Sequence, residues 1–395
     1  MIPAGERTKW WGYRPILLLL MGGLIGLAAW PYAVTLSLLL LLALPLVKGW
    51  LGRLLLATGY FLAASDGLVH GALQFFGIGT SLYMGLAFWL VSSLALAAPY
   101  TLPGRWILAA PLLDMLPPLG LFGWASPLFG AFTWGPLPAL YIYSVWALWV
   151  NLWSKPGPKG GWTWPMATVL AAFSLPGYLL IPPPTPPAGW KGIHAAYGLL
   201  NGYGLAEIVR DRQLEQSTLK RLQNLHNKVI VLPEAAAGMW YAGTAQVWRP
   251  VINWTKTHHQ AVLLGVEYPV GRDYEDALLR MQGGTTKVLP DDIAVPVSMW
   301  HPWLPGGAVD YLNGTETGAV LGQKVDYLVC YDQLLIWPGL HLLWNEMVTG
   351  HKPAVLVGVA NDWWTKGTDV AANQMVALQA WGRLLGVPVV SAVDG

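Results

Sequence analysis

Charged side chains are scarce in this sequence, above all in its first half. They make up 11% of the 395 residues, whereas soluble globular domains carry roughly 25%. Residues 15–154 contain only five of them, namely Lys48, Arg53, Asp66, Arg105 and Asp114. From Glu207 onward, charges return at the density of a soluble domain. This contrast predicts two regimes, the first in contact with lipid and the second in water.

Cysteine is nearly absent, because Cys330 is the only one in the sequence, and an internal disulfide is therefore excluded. Lysine and arginine are not gathered into any basic stretch, and the formal net charge is only +2. Since nucleic acids are bound mainly through clustered basic side chains, we predict no direct nucleic-acid partner. The eight histidines lack the spacing of a metal site, and we predict neither a metal nor another cofactor.

Long apolar runs are what the first half has instead of charge. A membrane-spanning helix needs about 20 apolar residues, and seven candidate runs lie at residues 16–30, 33–47, 54–64, 81–98, 107–122, 136–152 and 164–181. The second and third runs are short and close together, so a single hairpin is an alternative for that pair. The sequence thus predicts a transmembrane bundle of about seven helices over residues 1–181, with the lipid bilayer as its partner.

Basic residues flank these runs on one side only. Arg7, Lys9 and Arg14 precede the first run, and the later ones fall in alternate connections. Those later residues are Lys48, Arg53, Arg105, Lys155 and Lys159. Because basic loops remain in the cytoplasm, we expect a cytoplasmic N-terminus. Seven spans of a bacterial inner-membrane protein then place the rest of the chain in the periplasm.

A proline-rich stretch separates the two regimes. Five of the six residues at 182–187 are proline, and such runs are extended and stiff, so residues 182–190 are a predicted linker. Residues 191–395 alternate short apolar strands with amphipathic helices, a pattern typical of an α/β domain. The predicted strands are residues 228–232, 261–266, 325–330, 354–359 and 388–392, and the predicted helices are 212–226, 334–348 and 370–386.

Three of the predicted strands end in polar or reactive residues. Glu234 follows the first, Cys330 ends the third with Asp332 just beyond it, and Asn361 follows the fourth. In layered α/β folds the functional groups lie just beyond the carboxyl ends of strands. These endings are therefore the candidate site.

The same endings carry a family resemblance. Leu-Pro-Glu-Ala-Ala at 232–236, Val-Asp-Tyr-Leu-Val-Cys-Tyr-Asp at 325–332 and Ala-Asn-Asp-Trp-Trp at 360–364 resemble, in order and separation, three motifs of the nitrilase (carbon–nitrogen hydrolase) superfamily. The third is similar to the membrane branch of that superfamily, the apolipoprotein N-acyltransferases. The resemblance implies a polytopic α-helical membrane bundle followed by a nitrilase-like α/β domain, an αββα sandwich.

Two further segments resemble a narrower group, the TraB family of conjugal transfer proteins. They are Val-Pro-Val-Ser-Met-Trp-His-Pro-Trp at 295–303 and Cys-Tyr-Asp-Gln-Leu-Leu-Ile-Trp-Pro at 330–338. This resemblance implies a role in plasmid conjugation, with the conjugation machinery as a possible partner.

The superfamily resemblance also implies roles for single residues. Cys330 would be the nucleophile and Glu234 the general base, and a thioester would form on the sulfur. Asp332, Asn361 and Trp363 would support the site. The alternative for Cys330 is a structural thiol, because free cysteine is among the most buried residue types.

The family's lysine, which stabilises the oxyanion, has no direct counterpart. The matching position before Val295-Pro296-Val297 holds Asp291, and the nearest lysine is Lys287. Lys287 is the candidate catalytic lysine if the loop length differs, and a solvated loop charge otherwise.

Three hypotheses remain. The first is a periplasmic nitrilase-like enzyme that supports conjugation through thioester acyl or amide chemistry at Cys330. The second is a non-catalytic assembly factor of the envelope. The third is an N-acyltransferase with a phospholipid donor and a lipoprotein amine as acceptor.

Overall fold

The computed structural model describes residues 4–77, 81–121, 123–154, 163–174, 182–196, 204–224, 226–290, 305–309 and 317–395. The chain divides into two compact units. The first consists of residues 1–183, 334–336 and 367–386, and the second of residues 184–333, 337–366 and 387–395. The segment at 295–303 and Asp291, both named above, lie outside the described residues.

Helices dominate the first unit and strands the second. The described α-helices are α1 (Ala4–Ala29), α2 (Leu38–Ala43), α3 (Trp50–Ala64), α4 (Gly67–Phe76), α5 (Leu82–Ala97), α6 (Ala110–Leu113), α7 (Phe129–Phe132), α8 (Pro136–Ser154), α9 (Thr163–Phe173), α10 (Leu205–Gln223), α11 (Ala242–Val247), α12 (Arg249–Thr257), α13 (Ile336–Thr349) and α14 (Val370–Leu385). The described strands are β1 (Trp190–Gly192), β2 (Val229–Val231), β3 (Ala261–Val270), β4 (Asp273–Gln282), β5 (Thr285–Pro290), β6 (Thr317–Val320), β7 (Gln323–Val329), β8 (Val355–Asn361) and β9 (Val389–Asp394).

Glycines let α1 and α3 of the first unit approach closely. A Cβ added at Gly22 would lie 1.9 Å from the carbonyl oxygen of Leu56, and one added at Gly59 would lie 2.0 Å from that of Leu19. Helices pack at this distance only where small residues face each other. Trp30 of the same unit donates its Nε1–H to the Tyr60 hydroxyl at 2.9 Å, so this polar group is satisfied inside the bundle.

Two of the predicted membrane runs, 33–47 and 107–122, are shorter as helices than as apolar stretches. Among the described residues, one helix, Leu82–Thr101, is long and apolar enough to cross a membrane. Four shorter apolar helices cover Arg14–Ala29, Val34–Leu46, Trp50–Ala64 and Gly104–Leu113. Proline lacks a backbone donor and interrupts helices, and Pro45 and Pro111 lie within or beside the runs at 33–47 and 107–122. The bundle of about seven spans therefore stays a prediction.

Helix α14 belongs to the first unit, although its residues follow the predicted start of the C-terminal domain. The Trp381 ring packs against Phe129 and Phe132, with ring centroids 5.4 and 5.1 Å away. The Asn373 side chain also donates to the Ala64 carbonyl at 3.4 Å. A linear division of the chain at residue 190 misses this helix, because packing joins segments that are distant in sequence.

Two sheets form the second unit. The first has the order β1-β2-β3-β4-β5, with β1 to β3 parallel and the last two antiparallel. The second has the order β6-β7-β8-β9, with β6 antiparallel to β7 and the other three parallel. All five predicted strands are present. Strands β1, β4, β5 and β6 were not predicted, because they are short or carry several charges.

Alternation along the strands builds two apolar layers in the second unit. Val229, Val231 and Leu263 of the first sheet pack with Val325, Val357 and other side chains of the second, so the sheets face each other. The opposite side of the first sheet contacts α10 and α12 through Leu214, Leu222 and Val251. The unit is therefore a layered α/β structure, and the parallel strands β2, β7 and β8 direct their carboxyl ends toward one site.

Candidate active site

The end of β2 delivers a buried carboxyl group. The chain leaves the strand through Leu232 and Pro233 and places Glu234, which is only 3% exposed. Ala235 takes a left-handed φ of +47°, a conformation that costs energy for a residue with a Cβ. Gly265 of β3 makes the sharp bend possible, since a Cβ there would lie 2.1 Å from the Pro233 carbonyl oxygen.

The end of β7 delivers the thiol. Cys330 begins a 3-10 turn directly after the strand, with φ of +46° and 8% exposure. Left-handed backbone at a non-glycine residue concentrates at functional sites. The turn is held from inside by Gln333, whose Nε2 donates to the carbonyls of Leu328 at 3.2 Å and Val359 at 2.9 Å.

The two groups meet at the end of β8. Glu234 and Cys330 share a side-chain hydrogen bond. The backbone N–H of Asn361 donates to Glu234 Oε2 at 2.6 Å and also contacts the thiol. Three residues that are far apart in sequence are thus brought together by three strand ends.

A second carboxyl group lies against Glu234 and was missed in the sequence. Asp276 of β4 forms a side-chain hydrogen bond with Glu234, is 7% exposed and stands opposite Glu267 of β3 in the antiparallel ladder. The signal was available, because Asp276 directly precedes the apolar stretch Ala277-Leu278-Leu279. A carboxylate next to a buried apolar run is costly to bury unless it has a hydrogen-bond or charge partner.

Burial sets the protonation of this group. It raises the pKa of Glu234 well above the ordinary value, with the Asp276 carboxyl adding to the effect. Burial also raises the pKa of Asp276 to about 6 and that of Glu267 to about 7. The pKa of the Cys330 thiol is raised well above its ordinary value by burial, then by the charges of Glu234 and Asp362. The thiol is therefore protonated at neutral pH in the resting site.

Asp332 and Trp363 flank the group. Asp332 is fully buried in the 3-10 turn two residues after Cys330, and it adds to the effect of burial in raising the pKa of Tyr331. Trp363 begins the 3-10 turn that follows Asn361 and Asp362. Both residues lie beside the strand ends where the sequence places them, while their support of the site stays a prediction.

Lys287 is not brought to this group. It lies on β5, is exposed, and stands opposite Arg280 of β4 in the strand register. Arg280 is four residues along β4 from Asp276, which is about 13 Å at 3.3 Å per residue. Within the part of the chain that the structure describes, no lysine or arginine charge acts on the pKa of Glu234, Asp276 or Cys330.

Two facing sheets, with a glutamate and a cysteine hydrogen-bonded at the carboxyl ends of their parallel strands, define a layered α/β fold with a candidate nucleophile site. Solved structures similar to the chain include a Nesterenkonia amidase of the nitrilase superfamily, with 9% identity, a TM-score of 0.37, and coverage of 52% of this chain and 78% of the amidase. Another is a carbon–nitrogen hydrolase superfamily protein of Xanthomonas campestris, with 14% identity, a TM-score of 0.35, and coverage of 52% and 74%.

The chain belongs to the TraB family of conjugal transfer proteins. It is 30% identical to the conjugal transfer protein TraB of Agrobacterium fabrum over 430 residues, covering 98% of this chain and 94% of the relative. It is also 30% identical to the probable conjugal transfer protein TraB of Sinorhizobium fredii over 398 residues, covering 95% and 97%. No family model matches the chain.

Proposed function

We propose that this chain supports conjugative plasmid transfer as a membrane-anchored protein whose α/β unit carries out cysteine-dependent acyl chemistry. The observation that carries the proposal is the hydrogen-bonded group of Glu234, Cys330 and Asn361. A cysteine that only fills the core needs neither a buried carboxyl partner nor a left-handed backbone. Both features suit a nucleophile that is held in place beside its base.

The reaction begins with proton transfer. Glu234 takes the proton of the Cys330 thiol, and the thiolate attacks the acyl carbon of an amide or ester. Glu234 then returns the proton to the departing amine or alcohol, which leaves a thioester on Cys330. Water or an amine attacks the thioester, Glu234 takes the proton of that acceptor, and the released sulfur regains it. The raised pKa of Glu234 favours the proton transfer, because it brings the pKa of the base closer to the pKa of the thiol.

Membrane anchoring rests on apolar side chains that face outward in the first unit. Leu17, Leu20, Leu24 and Leu27 of α1 are each more than half exposed. Leu137, Leu140 and Leu148 of α8 repeat the pattern. Such surfaces on a polypeptide are stable in contact with lipid rather than water. We propose that the chain lies in the bacterial inner membrane, and the basic residues on one side of the apolar runs support a cytoplasmic N-terminus and a periplasmic α/β unit.

Two substrate pairs suit this placement. A phospholipid donor and a lipoprotein amine acceptor correspond to the N-acyltransferase hypothesis, and an amide with water corresponds to a hydrolase. A label transferred from a phospholipid to Cys330 as a thioester supports the first pair. Hydrolysis of an amide with no such label supports the second.

The proposal is tested by scoring plasmid transfer with Cys330→Ser, Cys330→Ala and Glu234→Gln. Each is expected to lower transfer by at least about 100-fold, the scale of losing a nucleophile or its base. The control is Glu275→Gln, which removes a neighbouring carboxyl group of β4 on the other face of the sheet. Equal transfer by all four variants at equal protein level contradicts the proposal.

A non-catalytic docking module is the second candidate. It is favoured by the raised pKa of the Cys330 thiol. It is also favoured by the position of Lys287, which stands opposite Arg280 on the neighbouring strand and is therefore remote from Asp276. Full transfer by Cys330→Ala, together with loss of transfer on removal of the whole α/β unit, is the outcome this candidate predicts.

A further inference from the structure

We propose that the site around Cys330 recognises a cationic group, a protonated amine or a guanidinium, on its ligand. The inference rests on the proposed function and names the substrate class of the same site. It follows from the number of carboxyl groups, from the atoms that lack partners, and from where the basic residues of the described chain lie.

Carboxyl groups reach the site from four separate elements. Glu234 follows β2, Glu267 lies on β3, Asp276 on β4, and Asp362 directly follows β8. Glu234 is hydrogen-bonded to both Asp276 and Cys330, and the charge of Asp362 acts on the pKa of the thiol. Like charges buried this closely are costly unless protons or a cation neutralise them.

Atoms without hydrogen-bond partners show what is missing. Asp276 Oδ1, Asn361 Oδ1 and Asp362 Oδ1 are buried and have no partner within the described chain. All three atoms are acceptors. Because Asn361 is neutral, its unpartnered oxygen does not depend on the acidic charges. Asp276 and Asp362 are 7% and 1% exposed. Buried acceptors without partners are costly, and a ligand with several N–H donors satisfies them together.

Two arginines of the described chain near these strands are engaged with other groups. Arg210 donates to the Ala236 carbonyl and pairs with Asp211, while Arg280 donates to the Ala319 carbonyl. Among the described residues, neither arginine acts on the pKa of the four carboxyl groups at the site. A positive charge brought by the ligand therefore meets negative charge that neither of these arginines compensates.

Protonation makes this recognition dependent on pH. Burial raises the pKa of Asp276 to about 6, and that of Glu267 and Asp362 to about 7. The charges of Asp276 and Glu207 add to the effect on Glu267, and the charge of Asp394 adds to the effect on Asp362. Below pH 6 these groups hold protons and attract a cation weakly. Above pH 7 they are ionised, so cation preference is expected to increase across this interval.

The single cysteine provides a direct test in the full-length protein. Three methanethiosulfonate reagents that add ethylammonium, ethylsulfonate or methyl groups modify Cys330 alone, and mass spectrometry follows each reaction. Rates are divided by those with free cysteine at the same pH, so intrinsic reactivity cancels. At pH 7.5 the ammonium reagent is expected to exceed the sulfonate by at least about tenfold, as expected for a partly buried charge pair. The neutral methyl reagent is expected to lie between them.

Two variants locate the effect. Asp276→Asn is expected to lower the ammonium-to-sulfonate ratio at least about threefold, because it removes one charge from the site. Glu275→Gln, the matched change on the opposite face of β4, is expected to leave the ratio unchanged. If Asp276→Asn does not fold, the pH series in the unsubstituted protein decides, because the ratio must increase between pH 6 and pH 8.

Several results would overturn the inference. They are a ratio near one at all pH values, a ratio that Asp276→Asn leaves unaltered in a folded protein, and no modification of Cys330 by any reagent. These results leave the plasmid-transfer test of Cys330→Ser untouched. Conversely, if plasmid transfer is kept by Cys330→Ser while the unsubstituted protein shows a clear cation preference, the catalytic proposal fails and the assigned ligand class stands.

Discussion

Glu234 has two opposing effects on the Cys330 thiol. The Glu234 carboxylate is needed to remove the thiol proton, yet its charge is among the causes that raise the pKa of Cys330. Removing the carboxylate therefore has different effects on a small reagent and on the proposed reaction.

Glu234→Gln is expected to lower the pKa of the Cys330 thiol, since a neighbouring like charge is lost. Iodoacetamide should then modify Cys330 faster at pH 8 than in the unsubstituted protein, while plasmid transfer is lost. Alkylation rates across pH 7–10 measure the first effect. Slower alkylation would contradict the assignment of Glu234 as a charge beside the thiol.

Lys287 provides a residue-scale test of the lysine prediction. Because it is exposed on β5 and remote from Asp276, Lys287→Ala is expected to keep plasmid transfer within about twofold, as for most surface substitutions. Cys330→Ala in the same background serves as the reference for full loss. A comparable loss with Lys287→Ala would restore Lys287 as a member of the site.

At the scale of elements, close contacts between backbones decide which substitutions are tolerated. Neighbouring glycines of α1 show this, because Gly22 faces the Leu56 carbonyl while the nearest atom to an added Cβ at Gly23 lies at 3.8 Å. The same change at two adjacent positions therefore separates helix packing from helix propensity.

Gly22→Ala is expected to force α1 and α3 apart and to destabilise the protein by about 1–3 kcal/mol, the usual cost of overpacking. Gly23→Ala should be neutral or slightly stabilising, because alanine favours helix. Thermal unfolding of the purified protein and its level in cells measure both. Equal behaviour of the two variants would show that this helix pair does not control stability.

At the scale of the whole molecule, buried carboxyl groups couple stability to pH. Burial raises the pKa of Asp326 to about 8, that of Asp362 to about 7 and that of Asp276 to about 6. In the unfolded chain these groups titrate near pH 4. The folded state thus binds more protons between pH 4 and pH 8, and its stability is lost as pH increases through that interval.

The melting temperature of the α/β unit within the full chain is therefore expected to fall from pH 5 to pH 8. Asp326→Asn should reduce this dependence, because it removes the group with the highest of the three values. Glu275→Gln serves as a control substitution at a buried carboxyl position. A melting temperature that increases with pH would contradict the placement of these carboxyl groups.

Much of the fold is encoded in local pattern. Apolar strand runs such as Ala354–Val359 predicted β8, and the polar endings at Glu234, Cys330 and Asn361 predicted the residues that meet. Strand β4 was not predicted, because charged residues obscure its apolar alternation. These residues are Asp273, Glu275, Asp276 and Arg280. Lys287 was selected by its distance in sequence, which carries no information on distance across a sheet.

By itself the sequence determined the division into a helical first half and an α/β second half, the five core strands and the polar strand ends that carry Glu234 and Cys330, because hydrophobic periodicity and strand ends are local properties. Only the tertiary structure decided that Asp276 lies against Glu234, that Lys287 lies remote from them, and that α14 packs within the helical unit. These depend on strand register and helix packing, where a displacement of one residue moves a side chain to the other face.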